Sequence, residues 1–268
     1  MDLQLTNEAA LVTGGGRGIG QAIAVALARE GVHVAVCGRT REPLEATAEL
    51  VEAEGVKSAV IVMDLLDADD CRRAVDECAS AFGGLDILVS NASTNVDSHP
   101  ADLEVVTDDQ LMERVNGKGL TSVRVTRAAL PYLRASGHGR VILLGGTSAR
   151  AVAGPGGGFA SGLGNAFVAN FAKRLSVEVA SDGITVNVIH PGVTNTDRHP
   201  PRIAELAARL GVSFNEAEAI RAKEVPVGRM VEPADVAAMA VFLASPLSGA
   251  VTGQTIAVDG GATHCVVY

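Results

Sequence analysis

Tryptophan is absent from this sequence, and tyrosine occurs only at Tyr132 and Tyr268. Aromatics make up 3% of the residues and hydrophobic residues 47%, so the core has to be built from Val, Ala, Leu and Ile. No apolar run approaches the ~18 residues that suggest a membrane span. The opening "MDLQLTNEAALVTGG" lacks the basic and apolar regions of a signal peptide. An excess of positive charge is missing too. The 22 basic and 31 acidic residues leave a net charge of −9, which argues against a nucleic-acid or anionic-membrane surface. Cys37, Cys71, Cys78 and Cys265 form no CxxC pair, which argues against zinc and for idle thiols in a reducing compartment. A cytoplasmic protein with no bound metal is expected. No linker, repeat or low-complexity tract divides the 268 residues, so one domain is expected.

What the chain does contain is a regular alternation. Short apolar runs at 9–13, 32–37, 58–63, 85–90, 140–145, 184–190 and 254–261 read as strands. Between them lie helical patterns at 20–31, 42–55, 67–83, about 160–180 and from Pro233 onward. "TDDQ" (107–110) is a capping box opening a long helix to about residue 134, and 197–225 reads as irregular and partly helical. Strands alternating with long helices imply right-handed crossovers and a doubly wound parallel α/β sheet, the Rossmann fold, over 1–268.

"TGGGRGIG" (13–20) ends the first strand and opens the first helix. Gly14 permits the tight turn, and the backbone over 16–19 can approach a pyrophosphate at the helix N-terminus. Selection of NAD calls for a carboxylate about 20 residues further on, to grip the ribose 2′-hydroxyl. The sequence has Gly38 and Arg39 there, with Arg41 nearby and Arg17 in the glycine loop. Guanidinium groups pair with a 2′-phosphate, so NADP(H) is favoured over NAD(H).

With these residues in view, the chain resembles the short-chain dehydrogenase/reductase family over essentially its whole length. Gly14, Gly16, Arg17, Gly18, Ile19 and Gly20 fall in the family's glycine motif, and Asp64 with Leu65 matches its adenine-contacting pair. Asn91, Ala92 and Ser93 match the segment beneath the cofactor. Pro191, Gly192, Val193 and Thr196 match the segment that contacts the nicotinamide carboxamide. The resemblance places Asn116 as the active-site asparagine and Ser148 as the substrate-orienting serine. It implies a small-molecule substrate covered by 197–225, and a homotetramer paired through the two long helices.

The family's catalytic tyrosine stands 13 residues after the serine, with a lysine four residues later; this chain has Ser161 and Asn165 at those positions. A phenol has a pKa near 10 and an adjacent ammonium lowers it. A serine hydroxyl is a far weaker acid, and asparagine supplies no field. General acid catalysis contributes roughly 10²–10⁴-fold, so ordinary ketone reduction calls for another donor. His190, Arg150 and Tyr268 are candidates, as is a structural role for each. The 2,4-dienoyl-CoA reductases, a branch of the family, resemble this chain in having serine at the tyrosine position, but they keep the lysine. Three readings stay open. One is an NADP(H)-dependent reductase of altered acid chemistry, acting on a C=O, C=N or activated C=C bond. The others are an NADP(H)-binding regulator or inactive partner subunit, and a non-redox lyase or cyclase.

Overall fold

The computed structural model describes residues 1–94, 103–151 and 159–265. Seven parallel strands form one sheet in the order β3-β2-β1-β4-β5-β6-β7. They are β1 (Ala9–Thr13), β2 (His33–Gly38), β3 (Ser58–Val62), β4 (Ile87–Ser90), β5 (Arg140–Leu144), β6 (Thr185–Pro191) and β7 (Thr255–Val258). The central strands are buried along their length because helices cover both faces. Their near-continuous apolar sequences, such as "AALVT" in β1, follow from that.

One face carries α1 (Gly18–Arg29), α2 (Arg41–Glu52) and α9 (Pro233–Ala244), packed through Ile23, Leu27, Leu44, Val51, Val236 and Leu243. The other carries α3 (Ala68–Phe82), α5 (Thr121–Ser136) and α6 (Phe159–Glu178), joined through Val75, Val125, Leu133, Val168 and Val179. Burying one such Val or Leu stabilises by about 1.5–3 kcal/mol, so an aliphatic core of this extent holds the fold without tryptophan. Cys71 and Cys78 belong to the second face, where burial pushes their thiols up to about 11 and about 12, outside the reactive range.

One region departs from the sequence expectation. The helix opened by the Thr107–Gln110 capping box is not uniform. It runs as α4 (Asp108–Arg114), widens into a π-helical stretch over Val115–Leu120, and continues as α5. The stretch expected to be irregular and partly helical, 197–225, contains two helices, α7 (His199–Leu210) and α8 (Phe214–Lys223). These two pack on each other through a small cluster of Ile203, Ala207 and Ala217. No helix among the described residues is long and apolar enough to cross a membrane.

After β1 the chain moves outward to β2 and β3, and then returns to the other side of β1 as β4. The crossovers that follow β1 and β4 therefore leave in opposite directions. Their separation opens a crevice at the carboxyl ends of these strands.

Candidate functional site

A cleft of about 590 Å³ lies there. Its floor is stitched together by Thr13 and Asn91. Thr13 Oγ1 accepts from the backbone N–H groups of Asn91 and Ala92, each at 3.0 Å. Asn91 Nδ2 donates to the carbonyls of Thr13 (3.0 Å) and Gly14 (3.2 Å). Gly14 and Gly18 have φ of 65° and 55°, a region that favours glycine. A β-carbon on Gly18 would also lie 3.3 Å from Thr196 Cγ2, so the loop after β6 comes down onto the glycine turn.

α1 meets the cleft with its N-terminus. Arg17 caps it without a side-chain hydrogen bond, and no acidic residue occupies the first turn. The unpaired N–H groups and the positive end of the helix dipole are thus available to an anion. Arg17 and Arg39 line the cleft and have no ion-pair partner among the described residues. Arg41 is turned away, 3.5 Å from Glu45 on the surface of α2. A helix terminus with two free guanidinium groups beside it fits the phosphates of a dinucleotide.

Of the residues expected to bind the cofactor, Gly14, Gly16, Arg17, Gly18, Ile19, Arg39, Asp64, Leu65, Asn91, Ala92, Ser93, Pro191 and Thr196 line the cleft. Gly20, Gly192 and Val193 do not. Gly20 lies under the turn, where a β-carbon would be 2.6 Å from Asn91 Nδ2. At Gly192 one would be 2.7 Å from the backbone of Asp259. The Val193 carbonyl accepts from the Val231 N–H.

Ser148 stands on the turn after β5, and Ser161 and Asn165 lie on the first turns of α6. Asn165 is buried and donates from Nδ2 to Ser148 Oγ at 2.9 Å. A β-carbon on Gly146 would lie 2.6 Å from Asn165 Nδ2, which sets this pair against the strand end whose Gly145 lines the cleft. Asn116 is turned elsewhere: its Oδ1 accepts from Arg124 Nη2 at 2.8 Å. Arg150 donates to the Thr255 carbonyl of β7.

His190 is completely buried. Its Nδ1 accepts from the Gly146 N–H at 2.9 Å, so the neutral ring carries its proton on Nε2. Burial, with Arg150 and Lys118 nearby, lowers its pKa to about 4. A histidine that is neutral in this way braces the β5 turn, and its remaining N–H is too weak an acid to donate near neutral pH. Tyr132 is on the surface, donating to Asp76 at 2.7 Å. Tyr268 and the glycine-rich 154–158 lie outside the described residues.

The sequence reading missed several lining residues, among them Thr94, Asp197, Arg198 and Lys118. Lys118 matters most. It is 6% exposed, and burial, with Arg114 and Arg198 nearby, lowers its pKa to about 8. Its signal in the sequence is a lysine between glycines, two residues past Asn116.

Residues 14–263 match the family model described as enoyl-(acyl carrier protein) reductase. The chain is a short-chain dehydrogenase/reductase. Among its relatives is the short-chain reductase protein NovJ of Streptomyces niveus, 37% identical over 253 residues, covering 94% of this chain and 92% of that protein. The 3-oxoacyl-(acyl-carrier-protein) reductase FabG of Staphylococcus aureus is 34% identical over 256 residues, covering 95% and 97%. Among solved structures, L-sorbose reductase from Gluconobacter frateurii complexed with NADPH and L-sorbose superposes with a TM-score of 0.91. It is 29% identical, and the match covers 99% of this chain and 100% of that one. For a member of this family the cleft is where a nicotinamide cofactor binds. Arg150 and Asn116 Oδ1 are bonded to neighbouring protein groups, His190 accepts at Nδ1 while its buried Nε2 has no partner among the described residues, and Ser148 and Asn165 are paired with each other.

Proposed function

We propose that the chain is an NADP(H)-dependent reductase of altered acid chemistry, acting on a small substrate with a C=O, C=N or activated C=C bond. The observation that carries the cofactor choice is Arg39, which lines the cleft at the end of β2 without a partner among the described residues. Arg17 lines the same cleft. The NADPH in the complexed L-sorbose reductase supports the same choice.

When bound, NADPH supplies the hydride. The uncapped N-terminus of α1 would hold the diphosphate, and Arg39 with Arg17 would hold the 2′-phosphate. Pro191 and Thr196, which line the cleft, would border the nicotinamide. There Ser148, its oxygen fixed by Asn165, orients the substrate, and Ser161 and Asn165 take the positions of the family's tyrosine and lysine. α7 and α8 cover the substrate, and Asp197 and Arg198 lead into them from the cleft wall. A homotetramer through α4–α5 and α6 completes the reading, supported by the exposed apolar side chains Met112, Leu163 and Val177.

Fluorescence titration with NADPH and NADH tests the cofactor assignment. A charge-assisted hydrogen bond contributes about 1.5–3 kcal/mol, so NADPH is expected to bind roughly 10- to 100-fold more tightly. Arg39→Asp should narrow or reverse the preference. Equal affinities for the wild type would refute the assignment. Turnover is then measured on a panel of ketones, enones and cyclic imines. Tight NADPH binding with no consumption on any of them would make the chain a binding protein instead.

A further inference from the structure

The π-helical stretch is shaped around one residue. Gly117 and Gly119 flank Lys118, and neither has room for a side chain. A β-carbon on Gly117 would collide with Thr94 Oγ1, and one on Gly119 would lie 2.6 Å from Phe167 Cδ1. The Gly117 carbonyl accepts from the Thr94 N–H at 3.0 Å, tying the segment to the loop after β4. The hydroxyls of Thr121 and Ser122 each donate to the Lys118 carbonyl at 3.0 Å, satisfying an acceptor in the widened turn. Across from it, α6 presents Gly164, where a β-carbon would lie 3.2 Å from Lys118 Cβ.

The lysine stem is therefore clamped over a bare patch of α6, one residue before Asn165. The side chain is more than nine-tenths buried and lines the cleft, with no hydrogen-bond or carboxylate partner among the described residues. Its charged neighbours are Arg114 from α4 and Arg198 from the start of α7, with the neutral His190 of β6 also close. A buried ammonium with three donors and no acceptor is costly unless a ligand supplies one.

We propose that Lys118 is the proton donor of this site, serving a substrate oxygen that gains charge as the neighbouring carbon is reduced, so that the substrate is a carbonyl or enone compound rather than an iminium ion. The proposal rests on the reductase reading. The balance is that of a two-electron reduction by a dihydronicotinamide. As hydride reaches carbon, the π pair shifts onto oxygen and takes a proton from Nζ, leaving a neutral amine that regains its proton from water. An ammonium titrating near pH 8 is charged at neutral pH and still able to release its proton. It enters from α5's side of the site and replaces the acid that Ser161 and Asn165 cannot supply.

The chain has four lysines, Lys57, Lys118, Lys173 and Lys223. In protein carrying isotope-labelled lysine, the Lys118 side-chain NMR signal is assigned by its loss in Lys118→Arg. It is expected to titrate near pH 8 and to move when NADPH is added. Lys118→Met should lower kcat on ketones and enones by roughly 10²–10⁴-fold while NADPH affinity stays within a few-fold. Lys118→Arg, which keeps the charge, should abolish the wild-type fall in kcat above about pH 8. A Lys118→Met variant with wild-type kcat and pH profile would overturn the proposal and leave the reductase reading standing. A Lys118 signal indifferent to NADPH would do the same. A wild type that binds NADPH and turns over nothing would overturn both.

Discussion

Asn165 and Lys118 are both 6% exposed, yet they differ in what their neighbours ask of them. The Asn165 amide is committed to Ser148 Oγ, whereas the Lys118 ammonium is uncommitted among the described residues. Ser148→Ala removes the oxygen that Asn165 fixes and is expected to lower kcat/KM by at least about 10-fold, the equivalent of one polar contact. Ser161→Ala should cost less than about 3-fold, because a serine hydroxyl is too weak an acid to have carried the proton. Steady-state kinetics on the best substrate compares the two; a larger loss at Ser161 would restore it as the working group. Lys118 also marks the stability of the fold. An unfolded chain holds this proton up to about 10.5 and the folded one to about 8. Between those values the unfolded state binds more protons, so stability rises with pH there. The unfavourable contribution is full below about pH 8 and fades towards 10.5. Lys118→Met is therefore expected to stabilise by about 1–3 kcal/mol near pH 7, with a gain that shrinks as pH rises. Thermal melts at two pH values on either side of about 8 check this, and an unchanged Tm near pH 7 would contradict a buried charge there.

Among the elements, the segment from α4 to α5 sets the chemistry apart. Its widened turn persists because Gly117 and Gly119 let it sit against Thr94 and Phe167. Gly119→Ala would push a methyl group into the Phe167 ring and is expected to destabilise by about 1–3 kcal/mol, read as a drop in urea midpoint. A midpoint matching wild type would show that the ring yields freely. This element also shows where reading the sequence succeeds and where it stops. The Thr107–Gln110 capping box and the strand–glycine–helix pattern around Gly14 are local, so helix start and cleft floor were legible. Arg39 was legible for the same reason, as the residue that follows β2. The π turn was not, because it depends on packing against Thr94 and on the bare patch at Gly164. His190 misled in the opposite direction: a titratable side chain at the right strand end is, in three dimensions, a buried acceptor for Gly146. The segment 197–225, expected to be irregular and partly helical, holds its helices over 199–223, the second opened by a Ser213–Glu216 capping box.

At the scale of the whole molecule, the parallel sheet gathers the cleft residues at the carboxyl ends of its strands. The amino ends of β1, β4 and β5 are tied together by Glu8, Asp86 and His138, with His138 Nε2 2.9 Å from Glu8 Oε2. α4 and α6 leave Met112, Leu163 and Val177 exposed, the last at 74%. Apolar side chains this exposed are expected to be covered by a second copy of the chain. Light scattering at micromolar concentration should give four times the monomer mass, and a monomer would contradict the tetramer. A helix turns by about 100° per residue. Deleting a single residue from 115–120 would swing Lys118 off the cleft while leaving sheet and helices in register. Two chains with the same lysine at an aligned position can therefore differ in whether they own this acid. Length, rather than identity, is the character to compare.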